Sequence, residues 1–231
     1  MLPRCLAAAS QQINLLVTTS LASFLGSGAV AIFYFANNLQ GFTVSFIGVS
    51  LATAAFQSLT KSLAGQDRPQ FLRDFSSTFW KIFFLSLAFS LILFAFRQPV
   101  VFLLLASGRF NAEALALTAA ALGIFSLSIL AQAEIPLLWR AFFALQAALK
   151  PTIISVLSVI INILLSFGLV GYLSNNAGAR ELLGSLLGLS HSIREFSLLA
   201  LPLAFSLASF FQFLLLAIFL RPYLKSAPDH V

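Results

Sequence analysis

Polar residues in this chain fall mostly in brief breaks between long apolar runs, and the runs define the elements. Six runs approach or exceed the ~20 residues that a helix needs to cross a bilayer: 6–25, 29–64, 71–96, 112–148, 152–173 and 197–220. They are continuous rather than alternating, which predicts helices and not the strands of a membrane barrel. Runs 29–64 and 112–148 are longer than a bilayer requires at ~1.5 Å rise per residue, so those helices must tilt, kink or protrude. The breaks carry turn chemistry: GSG at 26–28, GQDRPQ at 65–70, Pro99, SGR at 107–109 and Lys150-Pro151. A short apolar piece, 100–106, precedes the SGR turn, and Asn111 is placed to cap the fourth span, with Glu113 near the positive end of that helix. The 174–196 connection has Leu182, Leu186, Leu189, Ile193 and Phe196 at 4-3-4-3 spacing, with Arg180, Glu181, His191, Arg194 and Glu195 on other faces. That pattern predicts an amphipathic helix, lying on the membrane surface or packed on the protein's own loops.

Inside the spans, small and polar residues mark the faces that meet other helices, because lipid offers no hydrophobic drive for helices to associate. Span 2 has Asn37, Gly41, Ser45, Gly48, Ala52 and Ala55 at 4-4-3-4-3 spacing, with Asn37 heading the seam. Asn38 lies ~100° further round, beside Phe42, where it would look into a cavity, and Gln40 follows in the same stretch. Gly41 and Gly48 are the hinge candidates. Span 1 carries Gln11, Asn14 and Thr18; span 5 carries Ser155, Ser158, Asn162 and Ser166; span 6 offers Ser206 and Ser209 behind Pro202, whose ring frees a carbonyl one turn earlier. Three such faces would enclose a hydrophilic site, or they are interhelical glue worth about 0.6 kcal/mol per contact. Glu134 and Arg140 sit toward the inner end of span 4; an acid there is either functional or reaches the interface.

Composition narrows the class. The 231 residues are 60% hydrophobic and 9% charged, with mean hydropathy +0.99, against roughly a quarter charged in a soluble domain. This is an all-α integral membrane protein. The net charge of +6 is scattered over the connections and forms no nucleic-acid patch. One cysteine excludes an internal disulfide, and two histidines without ligand-spaced partners point to no metal cluster. No nucleophile–base pair, paired carboxylates or phosphate loop appears, so an enzyme is not expected. With the N-terminus inside, Arg4, Lys61, Arg68, Arg73, Lys81, Arg140, Lys150, Arg221 and Lys225 face the cytoplasm and Arg97, Arg109, Arg180 and Arg194 face out. That bias sets both termini in the cytoplasm. No charged leader with a cleavage site precedes the first span.

The stretches ASQQINLLVTTSLASFLGSGAVAIFYFANNLQ (9–40), FIGVSLATAAFQSL (46–59), SGRFNAEALALTAAAL (107–122) and RAFFALQAALKPT (140–152) resemble the MurJ (MviN) lipid II flippases of bacteria. Their marks are the A-S-F-L-G-x-G run, the Y-x-A-[DN]-x-L element after it, and the S-G-R-F turn. The resemblance implies one six-helix lobe, 1–225, of a two-lobe transporter of the multidrug, oligosaccharidyl-lipid and polysaccharide exporter superfamily. The surface helix at 174–196 and a tail at 226–231 complete the chain, which would be a fragment lacking the first lobe. Implied with it are lipid II as substrate, membrane lipids as surroundings, the bacterial plasma membrane as location, and alternating access as mechanism. Many members continue the Y-x-A element as Asp-Arg, with the arginine facing the substrate. Here Asn37 and Asn38 stand there, amides that can bond phosphate or sugar without charge, so the resemblance assigns the cation to the other lobe. The cavity candidates are Asn38, Asn37, Gln40, Gln11 and Asn14. Some relatives bind sodium between the equivalents of spans 1, 5 and 6. The matching positions are Thr18, Asn162 and Ser166, with Ser206 as a fourth, all neutral oxygen donors, and no other cofactor is implied. Coupling to sodium or to the membrane potential would fit. The competing readings are a polysaccharide or drug exporter of the same superfamily and a non-transporting scaffold for cell-wall enzymes.

Overall fold

The computed structural model describes residues 2–26, 28–105, 112–187 and 196–225. The expectations for Arg109, Asn111, Leu189, His191, Ile193, Arg194 and Glu195 lie outside the described residues. Among the described residues every element is helical: α1 (Leu2–Leu25), α2 (Ala29–Val44), a π-turn (Ser45–Val49), α3 (Ser50–Ala64), α4 (Arg68–Ala95), α5 (Arg97–Leu105), α6 (Ala112–Ala144), α7 (Leu149–Asn175), α8 (Ala177–Leu187), a 3₁₀ turn (Phe196–Leu199) and α9 (Ala200–Lys225). Five of these helices are long and apolar enough to cross a membrane, counting α2 to α3 as one: Ala29–Ala64, Arg68–Ala95, Ala112–Ala144, Leu149–Asn175 and Phe196–Leu224. Helix α1 has the length, 24 residues, but Gln11, Gln12 and Asn14 dilute its apolar character; its polar side is the one that meets α7. The molecule is a multi-pass membrane protein, and large apolar side chains such as Phe24, Phe84, Leu103 and Leu164 lie exposed on its outside, where a bilayer rather than water is the natural solvent.

Helix α6 is the axis. It is buried along most of its length, with α2, α3, α4, α5 and α9 packed round it. Ala22, Ile32, Phe33, Leu122, Phe125 and Leu199 form the core toward one end of the lobe. Toward the other end, Ile47, Leu59, Phe71, Ile82 and Leu137 form a second core, and Leu138, Phe142, Leu216 and Leu220 a third. A ladder of Phe71, Phe75, Phe79 and Phe83 runs along α4 at four-residue spacing, each ring 6.3–6.5 Å from the next.

The helix ends follow local chemistry. Gln66 and Gln146, at φ 55 and 56, take the left-handed position after α3 and α6, and Ala147 N–H reaches back to Phe142 O at 2.9 Å. Span 4 therefore stops at Ala144, four residues before the expected break. Lys150-Pro151 instead opens α7, where a proline has no amide to withhold. Pro99 and Pro202 likewise fall in the first turns of α5 and α9. Asp67 caps α4, its Oδ1 accepting from Gln70 N–H at 3.0 Å.

Two sequence patterns are corrected. In α2 the packed face is Ile32, Phe33, Ala36, Gln40 and Thr43, not the face headed by Asn37, which is only half-buried; Ser45 is exposed. The expected spacing assumed an unbroken α-helix. The π-turn inserts extra backbone, and only from within it, at Gly48, and beyond it, at Ala52, does the small-residue seam reach the core. In α8, Leu182 points outward at 68% exposure, while Leu183 and Leu187 join the core. The helix docks on the protein through a face one residue over from the expected one. Arg180 holds it to the end of α7 by donating from Nε to Leu173 O at 2.6 Å and from Nη2 to Ser174 O. Arg97 donates to Leu187 O at 3.1 Å from the other side.

Candidate functional site

Helices α1, α6, α7 and α9 bring their polar residues together inside the lobe. Asn162 Nδ2 donates to Asn14 Oδ1 at 3.0 Å, and Ser166 Oγ donates to Asn162 Oδ1 at 3.5 Å. Gln132 Nε2 donates to Ser209 Oγ at 2.6 Å, and Gln212 Nε2 to Ser155 Oγ at 2.9 Å. Between them lies a cavity of about 20 Å³, with Gln11 at its rim and the buried Ser158 hydroxyl, which has no hydrogen-bond partner, in its wall. That is room for about one water molecule among several polar groups.

Of the positions expected to bind a cation, Asn162 and Ser166 are in contact, while Ser206 bonds a carbonyl of α6. Thr18, Asn162, Ser166 and Ser206 are all buried, but of these only Asn162 lines the cavity. Ser206 Oγ donates across to Ile124 O at 3.2 Å. No group of His, Cys, Asp or Glu able to hold a metal occurs among the described residues, and the Asn14 and Asn162 amide oxygens already accept hydrogen bonds. The donors are neutral hydroxyl and amide oxygens, a set that suits a water molecule and attracts a sodium ion more weakly than one containing a carboxylate would.

A second polar surface runs along the α2–α3 helix. Asn38 is exposed, and below it Phe42 and Phe46 stack at 6.1 Å, both exposed. Thr53 continues the stripe on α3. There Arg140 of α6 meets it, Nη2 donating to Thr53 Oγ1 at 2.5 Å. Arg140 is half-buried, like Gln132, Pro136 and Trp139, the part of α6 that its neighbours leave uncovered. Of the cavity candidates, Asn38 and Gln11 are therefore exposed, Asn37 is half-buried, and Asn14 belongs to the interior amide cluster. Gln40 is 2% exposed and cannot face a cavity in this conformation. The sequence placed Arg140 toward the inner end of span 4 and did not single out Gln132 or Gln212. Their signal was available: Gln212 extends Ser206 and Ser209 at three-residue spacing, and Gln132, like Glu134 and Arg140, interrupts a largely apolar helix.

The hinge candidates differ as well. A side chain at Gly41 would meet nothing within 4 Å, whereas a Cβ on Gly48 would lie 2.7 Å from the Ala133 Cα on α6. The irregular backbone is at Gly48: the Ser50 N–H bonds Ser45 O across the π-turn, and Ser50 Oγ donates to the same carbonyl at 3.2 Å.

Comparison with known proteins places this arrangement. The family model described as "Lipid II flippase MurJ" matches residues 1–230. A "Probable lipid II flippase MurJ" of Buchnera aphidicola subsp. Schizaphis graminum is 31% identical over 75% of this chain and 34% of its own length. The "Lipid II flippase MurJ" of Burkholderia cenocepacia is 29% identical over 68% of this chain and 30% of its own. The chain thus spans about a third of the length of these relatives. A solved structure titled "Lipid II flippase MurJ, inward closed conformation" superimposes with TM-score 0.74 at 17% identity, over 93% of this chain and 41% of that one, which shows the shared fold. The chain belongs to the family of the lipid II flippase MurJ.

Proposed function

We propose that this chain forms one lobe of a lipid II flippase, which moves undecaprenyl-pyrophosphate-linked muropeptide from the inner to the outer leaflet of the bacterial plasma membrane. The observation that carries the reading is the family match along nearly the whole chain. A second lobe would supply the other wall of the pathway, and the two would rock about a midplane cavity.

The stripe of Asn38, Thr53 and Arg140 would be this lobe's share of that wall. Arg140 supplies the cation that the amides at 37 and 38 lack, and its planar guanidinium suits a pyrophosphate. The exposed Phe42 and Phe46 offer apolar area for the lipid tail. The π-turn at Gly48, rather than Gly41, is the natural bending point. The interior amide cluster keeps α1, α7 and α9 in register, and no step is assigned to sodium. Transport in this scheme makes and breaks no covalent bond. In this reading both termini of the chain lie in the cytoplasm, the side that the excess of basic residues favours.

Proteoliposomes holding this lobe together with a first lobe, loaded with lipid II, a polysaccharide-linked lipid or a cationic drug, test the proposal. Lipid II translocation should dominate. Preference for either other cargo would move the chain to a sister exporter. Unchanged flipping after Asn38 and Asn162 are both replaced by Leu would instead favour a scaffold.

A further inference from the structure

Glu134 sits in the middle of the packed lobe and no part of the transport scheme uses it. It is 0% exposed, so it does not reach the membrane interface as an interfacial acid would. Neither carboxyl oxygen has a hydrogen-bond partner. Its face of α6 is shared by Leu137, Leu138 and Ala141, three, four and seven residues on. Leu137 belongs to the core that includes Phe71 and Ile82 of α4, and Leu138 and Ala141 to the core that includes Leu216 and Leu220 of α9. Phe79 of α4 and Phe213 of α9 close the same seam, their ring centroids 6.5 Å apart.

No described charge compensates it. On α4, Arg73 and Lys81 are exposed, Arg68 bonds Leu224 O, and Asp74 accepts from Ser58 and Gln70. On α9, Arg221 is exposed, and on α3 so is Lys61. Lys150 of α7 lies over Tyr223 at 4.6 Å, and Arg97 of α5 bonds Phe94 O and Leu187 O. On α6 itself, Arg140 turns to Thr53 on another face. Charged residues are absent from α2, where Tyr34 Oη receives the Thr19 hydroxyl at 3.2 Å. An ionised carboxylate without a donor or a countercharge is not sustainable in such a seam, whereas the neutral acid is.

We propose that Glu134 is a proton-binding site: its carboxyl carries a proton while α4 and α9 are packed against α6, and releases it to water only when that packing opens. The proton passes to an entering water and leaves the carboxylate behind, so no other reactant is needed. Opening of the seam is thereby tied to proton release, whatever cargo the lobe serves.

Infrared difference spectroscopy of the purified chain in lipid nanodiscs at neutral pH, wild type minus E134Q, reads this directly. The expected result is a protonated-carboxyl C=O stretch in the wild type that is lost in E134Q and that survives a rise in bulk pH for as long as the helices stay packed. A difference confined to carboxylate stretches, with no protonated band, would overturn the proposal. So would a band that titrates away while packing, followed by tryptophan fluorescence, is unchanged. If E134Q fails to fold, E134L, which suits a leucine-lined seam, gives the same comparison. The readout involves no transport, so its failure is distinct from failure of the flippase reading.

Discussion

Gly41 and Gly48 share one long helix and have opposite surroundings. An alanine at Gly41 meets open space, so G41A should be neutral or stabilising by about 0.5–1 kcal/mol through helix propensity. At Gly48 the added carbon runs into the backbone at Ala133, which cannot rotate aside as a side chain does. G48A should cost about 1–3 kcal/mol, and thermal unfolding in detergent micelles should rank the two variants in that order. G123A is the intermediate case: its new carbon meets the Arg97 side chain at 2.9 Å, and that flexible chain can shift. In the interior cluster, N162L removes the donor to Asn14 and should lower stability by about 1–3 kcal/mol, the cost of burying a polar group left unpaired. The polar residues of α1 and α7 were legible at this scale, because a 3-4 spacing puts Asn14 and Asn162 on single helical faces. Which residue each would meet was not. Pairing across helices depends on their rotation and axial offset, and a single chain's periodicity carries neither quantity.

Helix existence was legible wherever an apolar run was long; α4, α7 and α9 each overlie an expected span, with ends displaced by one to five residues. The misreadings share one cause, local backbone geometry that shifts a face. The π-turn moved the seam of α2 off Asn37, and docking by Arg97 and Arg180 turned α8 so that Leu183, not Leu182, faces inward. These two arginines make a further prediction about α8. Each donates to carbonyls at a helix end, where they would otherwise lack partners. R180A should therefore loosen the junction of α7 and α8, raising amide hydrogen exchange in α8 about tenfold, equivalent to losing roughly 1.4 kcal/mol of local stability. Exchange in α6, which lies behind other helices, should stay as it was.

For the whole molecule, composition alone identified a membrane protein, and its motifs pointed to the family that the full-chain match then showed. The orientation proposed for the bilayer rests on charge bias and is open to direct test. After C5S removes the native thiol, a cysteine at Gln146 should react with an impermeant reagent only from the cytoplasmic side, and one at Asn176 only from outside. Flipping by this chain alone should remain at the background rate in proteoliposomes, because a single lobe leaves its pathway face open to lipid. The enclosure of α6 also bears on how the protein is made. Its final neighbours are protein on nearly every side, so the finished lobe would tolerate a more polar helix there. During synthesis, however, α6 leaves the ribosome before α7 and α9 exist, and it must rest against lipid until they arrive. Its apolar surface thus serves the order of assembly as well as the assembled state, and Glu134 is the residue that makes that wait hardest.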